Sequence, residues 1–249
     1  LEEMLPTLVA GATLVLRSDG MANSAWSFFD GVRAEGITVL NLPTAFWHQL
    51  VRAEHVKWPS CLRLVVVGGE QASPEAHRLF RAADTGHIRW LNAYGPTEAA
   101  ITSTCYDDAE GDHTAEFIPI GRPLPGVSHF VLDPYMRLTP AGQSGQLYIG
   151  GAGLASGYLN REELTRQRFV EHPFRKGARL YATGDRVRRT DAGNYVYVDR
   201  LDNQVKVRGF RVELGEVETW LRRQPAVSDA AVVMQKSGVE EGSTVGFVV

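Results

Sequence analysis

Several function classes are excluded by what the chain lacks. It holds only two cysteines in 249 residues, Cys61 and Cys105. They form no CxxC pairing, so neither a zinc knuckle nor a disulfide framework is indicated. Seven histidines are scattered without HExxH or comparable ligand spacing, and they read as surface or packing residues. No apolar run approaches the roughly 20 residues that span a bilayer, and no signal peptide is visible, so no membrane span is expected. Lys and Arg number 26 against 29 Asp and Glu, a formal net charge of −3. Without a clustered basic stripe, a nucleic-acid surface is not expected. A reducing, cytoplasmic setting fits this cysteine usage. The chain does not start with Met and stops in "TVGFVV", a strand with no obvious partner; both read as signs of a fragment.

What is present is an ordinary globular composition, 44% hydrophobic and 22% charged. Residues 1–16 read as a helix-like segment followed by "GATLVL", a short buried strand. "SAWSFFDGVRAEG" reads as a helix with a Gly stop, "ITVLNLP" as a strand, and "TAFWHQLVRAE" as a helix opened by Thr44. "LRLVVVGG" has the β-branched run of a strand buried on both faces. "SPEAHRLFRAA" follows with Ser73 as N-cap and Pro74 at the first helical position, and "HIRWLNAYG" is the next strand. This alternation through about residue 105 predicts an α/β layer with parallel strands. From Ile118 to about Arg200 the style changes to short strands broken by Gly and Pro ("HFVLD", "GQLYIGG", "RLYATGD", "NYVYVDR"), which predicts a small twisted β unit. A helix, "GEVETWLRRQ", and a strand, "DAAVVMQ", follow. The domain boundary is placed near Asp202, with residues 1–201 and 202–249 on its two sides.

Ligands of open α/β sheets gather at the carboxyl ends of strands, and two such ends are chemically loaded. One is Gly68-Gly69-Glu70; the other is Tyr94 to Glu98, after "RWLNA". Glycine allows close backbone approach, Tyr94 can stack on a purine, Thr97 can hydrogen-bond a phosphate, and Glu98 can hold Mg²⁺ through oxygen. Pro96 and Glu98 are equally ordinary helix-start residues, so local physics leaves both readings open. "GGAGLASGY" (150–158) is GxGxxxG rather than GxGxxG and lies in the β-rich part, so it reads as a flexible loop and not as a dinucleotide fingerprint. In "YATGD", Asp185 is placed in a Gly turn, either gripping a ribose diol or merely filling the turn. "DRLDNQVKVRGFRVELGEVE" by itself reads as a charged, solvated β-hairpin.

In combination these stretches are specific. Asn92 to Glu98, Gly145 to Phe169, Tyr181 to Arg186 and Arg200 to Glu218 resemble, in order and spacing, the motifs of the adenylation domains of nonribosomal peptide synthetases, relatives of acyl-CoA synthetases and luciferases. The resemblance extends over essentially the whole chain. It implies an α/β fold: part of the large adenylate-forming subdomain, with a parallel-rich sheet, flanking helices and a small twisted barrel-like β unit. The start of an α+β C-terminal lid follows. It implies an ATP-dependent ligase that joins a carboxylate to AMP with release of pyrophosphate. The acyl group would then pass to the phosphopantetheine thiol of a carrier-protein domain, with a condensation domain in the same assembly line.

Residue by residue, the resemblance implies that Tyr94 stacks on adenine, with Gly69, Glu70, Asn92 and Ala93 along the base edge. Thr97 would contact phosphate and Glu98 would bind Mg²⁺. Asp185 would grip the ribose hydroxyls, Tyr197 would flank the nucleotide, and Arg200 would reach the ribose and phosphates. Asp202 matches the lid hinge, and Lys206 and Gly209 would face the carrier arm. Ala182, Glu162 and Asp199 depart from the family pattern without removing a proposed ligand. The family's "TSGTTGxPKG" phosphate loop and its lid lysine match no stretch of the 249 residues, so this polypeptide alone is expected not to adenylate at a normal rate.

Substrate-reading positions carried over from the family are Glu2, Asn41, Val66, Gly68, Ala93, Ile101 and Thr102. An α-amino acid is assumed. A carboxylate in a mostly apolar pocket is costly unless paired, so Glu2 favours a basic substrate such as ornithine, N5-hydroxyornithine or lysine, with a siderophore as one product class. The competing reading points Glu2 to solvent or to a helix cap. An aryl- or acyl-CoA ligase of the same superfamily and a non-catalytic adenylation-like scaffold are the rival functions.

Overall fold

The computed structural model describes residues 2–110, 116–202, 204–207, 210–235 and 243–249. It divides into two compact units, Leu1–Val198 and Asp199–Val249.

The first unit opens with helix α1 (Met4–Val9) and α2 (Ala25–Ala34). Strands and helices then alternate: β1 (Val39–Pro43), α3 (Thr44–Arg52), β2 (Leu64–Gly68), α4 (Pro74–Ala82), β3 (Arg89–Tyr94), β4 (Thr104–Asp107) and β5 (Arg122–Pro123). The strand order is β1-β2-β3-β4-β5. β1, β2 and β3 run parallel, and β4 and β5 are antiparallel additions. The local signal acts as expected at Ser73, and Ser24 caps a second helix start. Ser24 accepts from the Ser27 amide at 3.0 Å and Ser73 from the Ala76 amide at 3.3 Å, with Pro74 opening α4.

Two local expectations are corrected. "GATLVL" forms no strand and Leu16 is 79% exposed; the stretch pairs with no strand among the described residues, so its apolar pattern has no sheet to join. β2 is buried on one face, not two: Val65 and Val67 are buried, whereas Leu64, Val66 and Gly68 are half-open. Thr44 opens α3 as expected, and its hydroxyl donates to the Gly68 and Glu70 carbonyls at 3.0 and 3.2 Å. The buried sheet face carries Leu40, Leu42, Val65, Val67 and Trp90 against Phe29, Trp47, Trp58 and Phe80. Trp47 lies 5.4 Å from Trp90 and Trp58 lies 4.8 Å from Phe80, ring centre to ring centre. Burying such rings is the main stabilising term in this layer.

The second sheet contains β6 (Val127–Leu132), β7 (Ser144–Gly151), β9 (Arg179–Arg189) and β10 (Tyr195–Arg200) in the order β10-β9-β7-β6. Between β7 and β9 come α5 (Glu162–Arg168) and β8 (Phe169–Glu171), the latter pairing with β9. Its core of Ile120, Val131, Leu147, Ile149, Val187 and Tyr195 also receives Ala99, Tyr94 and Tyr197. Ile120 N–H donates to the Tyr195 carbonyl and Tyr195 N–H to the Gly121 carbonyl, both at 2.8 Å, tying the end of the first layer to the second.

The second unit pairs β11 (Gln204–Val207) with β12 (Phe210–Glu213) as the expected antiparallel hairpin. Helix α6 (Leu214–Arg222) follows, then β13 (Ala230–Gln235) and β14 (Ser243–Val248). The strand that showed no partner in sequence has one: β14 pairs antiparallel with β13 along its whole length. No helix among the described residues is long and apolar enough to cross a membrane.

Candidate active site

The site lies at the carboxyl ends of β2 and β3. Parallel register aligns Asn41 with Val66, and Gly68 with Ala93. All four belong to the half-open face, because the alternate residues Leu40, Val65, Val67 and Trp90 are committed to the core. The sheet therefore presents the expected pocket residues in one patch. Cys105, opposite Ala93 on β4, extends that row; sequence reading did not find it, because only the antiparallel register places it there. Burial, then the nearby Asp107 charge, pushes its thiol above the usual cysteine range.

After β3 the chain does not begin an α-helix. Thr97–Ala99 form one 3-10 turn, and Ala100 and Ile101 follow with φ of 61° and 71°. Left-handed backbone at a β-branched residue is a strained arrangement. It ends the helix that Pro96 and Glu98 could have started and returns the chain against Gly95. A Cβ at Gly95 would stand 2.1 Å from the Ile101 carbonyl oxygen and 2.7 Å from the Ser103 nitrogen, so only glycine fits. The return brings the Thr102 hydroxyl into a hydrogen bond with Glu2 Oε1. The side chain of Glu2 is thus engaged with another pocket position, and α1 has no side-chain cap bond.

The second sheet supplies the other wall. "YATGD" is not a turn: it runs inside β9. Gln146 pairs with Arg186 and Tyr148 with Ala182, so Thr183, Gly184 and Asp185 all stand opposite Leu147 alone. Gly184 at φ 77° permits this bulge. Thr183 fixes it by donating to the Leu147 carbonyl at 2.8 Å and accepting from the Asp185 amide at 3.0 Å. Asp185 is 7% exposed and accepts a hydrogen bond from the Tyr94 hydroxyl. The "NAYGPTE" and "YATGD" stretches therefore meet side chain to side chain, and Tyr197 packs on the same cluster as Tyr94.

Glu98 is 8% exposed, while Thr97 is exposed. Tyr158 donates to Glu98 Oε1 at 2.5 Å, and the Ala155 amide donates to the Glu98 carbonyl at 2.9 Å. Burial, and after it the bond to Glu98, push the Tyr158 phenol far above the usual tyrosine range, so it remains a donor. The 150–158 stretch is accordingly not a loose loop. Its segment is strapped by Glu98, by Thr165 and by Arg179, which donates to the Ser156 and Ala155 carbonyls at 2.9 and 3.3 Å. Thr44 and Tyr158 hold the candidate residues Glu70 and Glu98, and sequence reading missed both; the signal for Tyr158 was its place at the end of the glycine-rich motif.

Asn92 is 3% exposed, and its amide donates to the Pro119 carbonyl at 2.8 Å. It supports the site from beneath. Gly69 adopts φ 97°, next to the Glu70 carbonyl held by Thr44. In the second unit Arg200 makes a bidentate pair with Asp202, Nε to Oδ1 at 2.6 Å and Nη2 to Oδ2 at 2.8 Å. Gly209 and the side chain of Lys206 lie outside the described residues.

Among the described residues no three His, Cys, Asp or Glu side chains gather as a metal cluster. The donor set at Glu98 is a single buried carboxylate. That suits Mg²⁺, a hard ion that keeps several waters and takes one or two carboxylates together with substrate phosphates.

The AMP-binding enzyme family matches residues 1–159. The chain is 41% identical over 240 residues to malpibaldin synthetase of Mortierella alpina, covering 95% of this chain and 4% of that protein. It is 37% identical over 247 residues to tyrocidine synthase 3 of Brevibacillus parabrevis, covering 97% of this chain and 4% of that protein. It superposes with a TM-score of 0.82 and 28% identity on NpsA-ThdA, an artificially fused adenylation–PCP di-domain NRPS from Klebsiella oxytoca. That match covers 100% of this chain and 49% of the fused protein. The chain thus spans a small part of the curated relatives it matches.

Proposed function

Because the chain belongs to the AMP-binding enzymes, in the branch of nonribosomal peptide synthetase adenylation domains, we propose that it forms the nucleotide and amino-acid sites of an amino-acid-activating ligase. The observation that carries this reading is the meeting of Tyr94 with Asp185 beside Glu98, on the stretch whose far end, Thr102, holds Glu2. One eleven-residue segment, 92–102, therefore serves both substrates.

In this reading adenine stacks on Tyr94, with Gly69, Glu70 and Ala93 along the base edge and Asn92 behind them. Asp185 accepts from the ribose hydroxyls, Tyr197 flanks the nucleotide and Thr97 contacts phosphate; Arg200 is the family's candidate for the ribose and phosphate side. Glu98 would hold Mg²⁺; when bound, the ion neutralises negative charge on phosphate oxygens. The amino-acid carboxylate oxygen attacks the α-phosphorus of ATP, a new O–P bond forms, and the bond to pyrophosphate breaks. Residues placed before the reaction supply most of the stabilisation of the charge that develops. By the family pattern Asp202 is the hinge position and Lys206 the residue that would serve the phosphopantetheine arm of a carrier domain, the acceptor of the aminoacyl group. A condensation domain would use the product.

The pocket reading favours a basic amino acid. Glu2 engages Thr102 rather than a helix end, which leaves its second oxygen for a substrate cation. ATP–pyrophosphate exchange in the full parent synthetase tests this, with ornithine, N5-hydroxyornithine and lysine set against neutral residues. Exchange should be led by a basic substrate, and Glu2→Gln should abolish that preference. Equal exchange with a neutral amino acid overturns the substrate class. The 249 residues carry no phosphate loop of the family pattern, so the isolated polypeptide is expected to show no exchange.

A further inference from the structure

Glu98 stands on a support too slight to hold it. Its 3-10 turn spans three residues and is followed at once by two left-handed residues, Ala100 and Ile101. A turn of that length leaves a carboxylate several rotamers. What orients Glu98 comes from elsewhere in the chain. Tyr158 donates to Oε1 from 60 residues away, and the Ala155 amide holds the backbone carbonyl of Glu98.

Tyr158 is in turn fixed. Its amide donates to Thr165 Oγ1 at 2.9 Å, and its ring meets Phe169 edge-on at 5.7 Å. Gly157, at φ 152°, lets the two segments close: a Cβ there would stand 2.5 Å from Thr165 Cγ2. The Tyr181 hydroxyl lies 3.5 Å from that of Tyr158.

We propose that Tyr158 and Thr165 are positioning residues for the metal carboxylate: Thr165 sets Tyr158, and the Tyr158 hydroxyl sets the plane of Glu98. The inference rests on the reading of Glu98 as the Mg²⁺ ligand. Groups that hydrogen-bond a ligating carboxylate fix its orientation, and their loss costs about 10- to 100-fold in metal affinity.

The test measures ATP binding to the full parent chain by calorimetry, in excess Mg²⁺ and again in EDTA. The ratio of the two affinities is the gain due to the metal. Tyr158→Phe should shrink that gain about 10-fold while leaving binding in EDTA as in the wild type. Thr165→Val should behave like Tyr158→Phe, and Thr165→Ser, which keeps the hydroxyl, should restore the wild-type gain. A full Mg²⁺ gain in Tyr158→Phe, or an equal loss with and without the metal, overturns the proposal. If Tyr158→Phe fails to fold, the Thr165→Val and Thr165→Ser pair decides the matter by the same ratio. Glu98→Gln separates the two readings. If it removes the gain while Tyr158→Phe does not, only the positioning role fails. If Glu98→Gln keeps the gain, the metal-ligand reading fails and the proposal falls with it.

Discussion

The hydroxyl of Tyr94 donates to the carboxylate of Asp185, 91 residues further along the chain. One residue ends a strand of the α/β layer and the other rides a bulge in the β unit, so the bond joins the two sheets at the proposed nucleotide site.

Tyr94 thus has a ring and a hydroxyl with separable tasks. Tyr94→Ala should weaken ATP binding by about 1–3 kcal/mol, the usual value of base–aromatic stacking. Tyr94→Phe keeps the ring and should cost only about 1 kcal/mol, one hydrogen bond. Equilibrium titration with ATP reads both, and equal losses would show that stacking is not what the ring supplies.

Gly95 is the steric hinge of the segment that serves both substrates. Gly95→Ala places a methyl 2.1 Å from the Ile101 oxygen, an overpacking worth about 1–3 kcal/mol or more. Thermal unfolding should show the loss, and nucleotide and amino-acid binding should fall together because the whole return moves.

Asp108 binds α4 to the end of β4. Its Oδ2 takes the His77 Nε2 bond at 2.8 Å and the Arg81 Nε bond at 2.7 Å, with the carboxylate fully buried. Burial alone would push this carboxyl up, but the hydrogen bonds from His77 and Arg81, with the charge of Arg81, hold it below the ordinary range. Asp108→Ala takes the carboxylate away from a guanidinium and a buried imidazole, a loss of about 3 kcal/mol. Urea denaturation should give that figure as a lower midpoint with an unchanged slope.

Stability should fall between pH 6.5 and 4. Burial, aided by Arg52, lowers His48 from 6.5 to about 4, and burial lowers His129 to about 4. Both are neutral when folded: His48 Nε2 accepts from the Ser73 amide at 3.1 Å, and both His129 nitrogens are buried without a hydrogen-bond partner among the described residues. The unfolded chain binds more protons in this window, so stability is complete above pH 6.5 and lost as pH falls towards 4. Melting temperature against pH should show the slope, and His48→Gln combined with His129→Phe should flatten it.

Much of this protein was legible as local pattern. The Ser73 cap, the succession of helix and strand through β1, β2 and β3, and the hairpin of β11 and β12 each depend on neighbours a few residues apart, and each was readable. Tyr94, Thr97, Glu98 and Asp185 could be named as candidates because whole motifs stood in order. Features that depend on register or on remote contact were not readable. "GATLVL" has a strand's composition but no strand to pair with, and "TVGFVV" found its partner in β13 only through folding. Asp185 looked like a turn residue until the pairing of β7 with β9 showed a bulge. The helix start suggested by Pro96 and Glu98 yielded to two left-handed residues that tertiary packing imposes. A sequence by itself determines residue chemistry, chain punctuation and the side-chain period of each element, since these act over one or two turns of backbone. Only the tertiary structure decided that Tyr158 would hold Glu98, that Thr102 would hold Glu2, and that Tyr94 would reach Asp185. Those bonds close loops of 60, 100 and 91 residues, and no local preference specifies where such loops close.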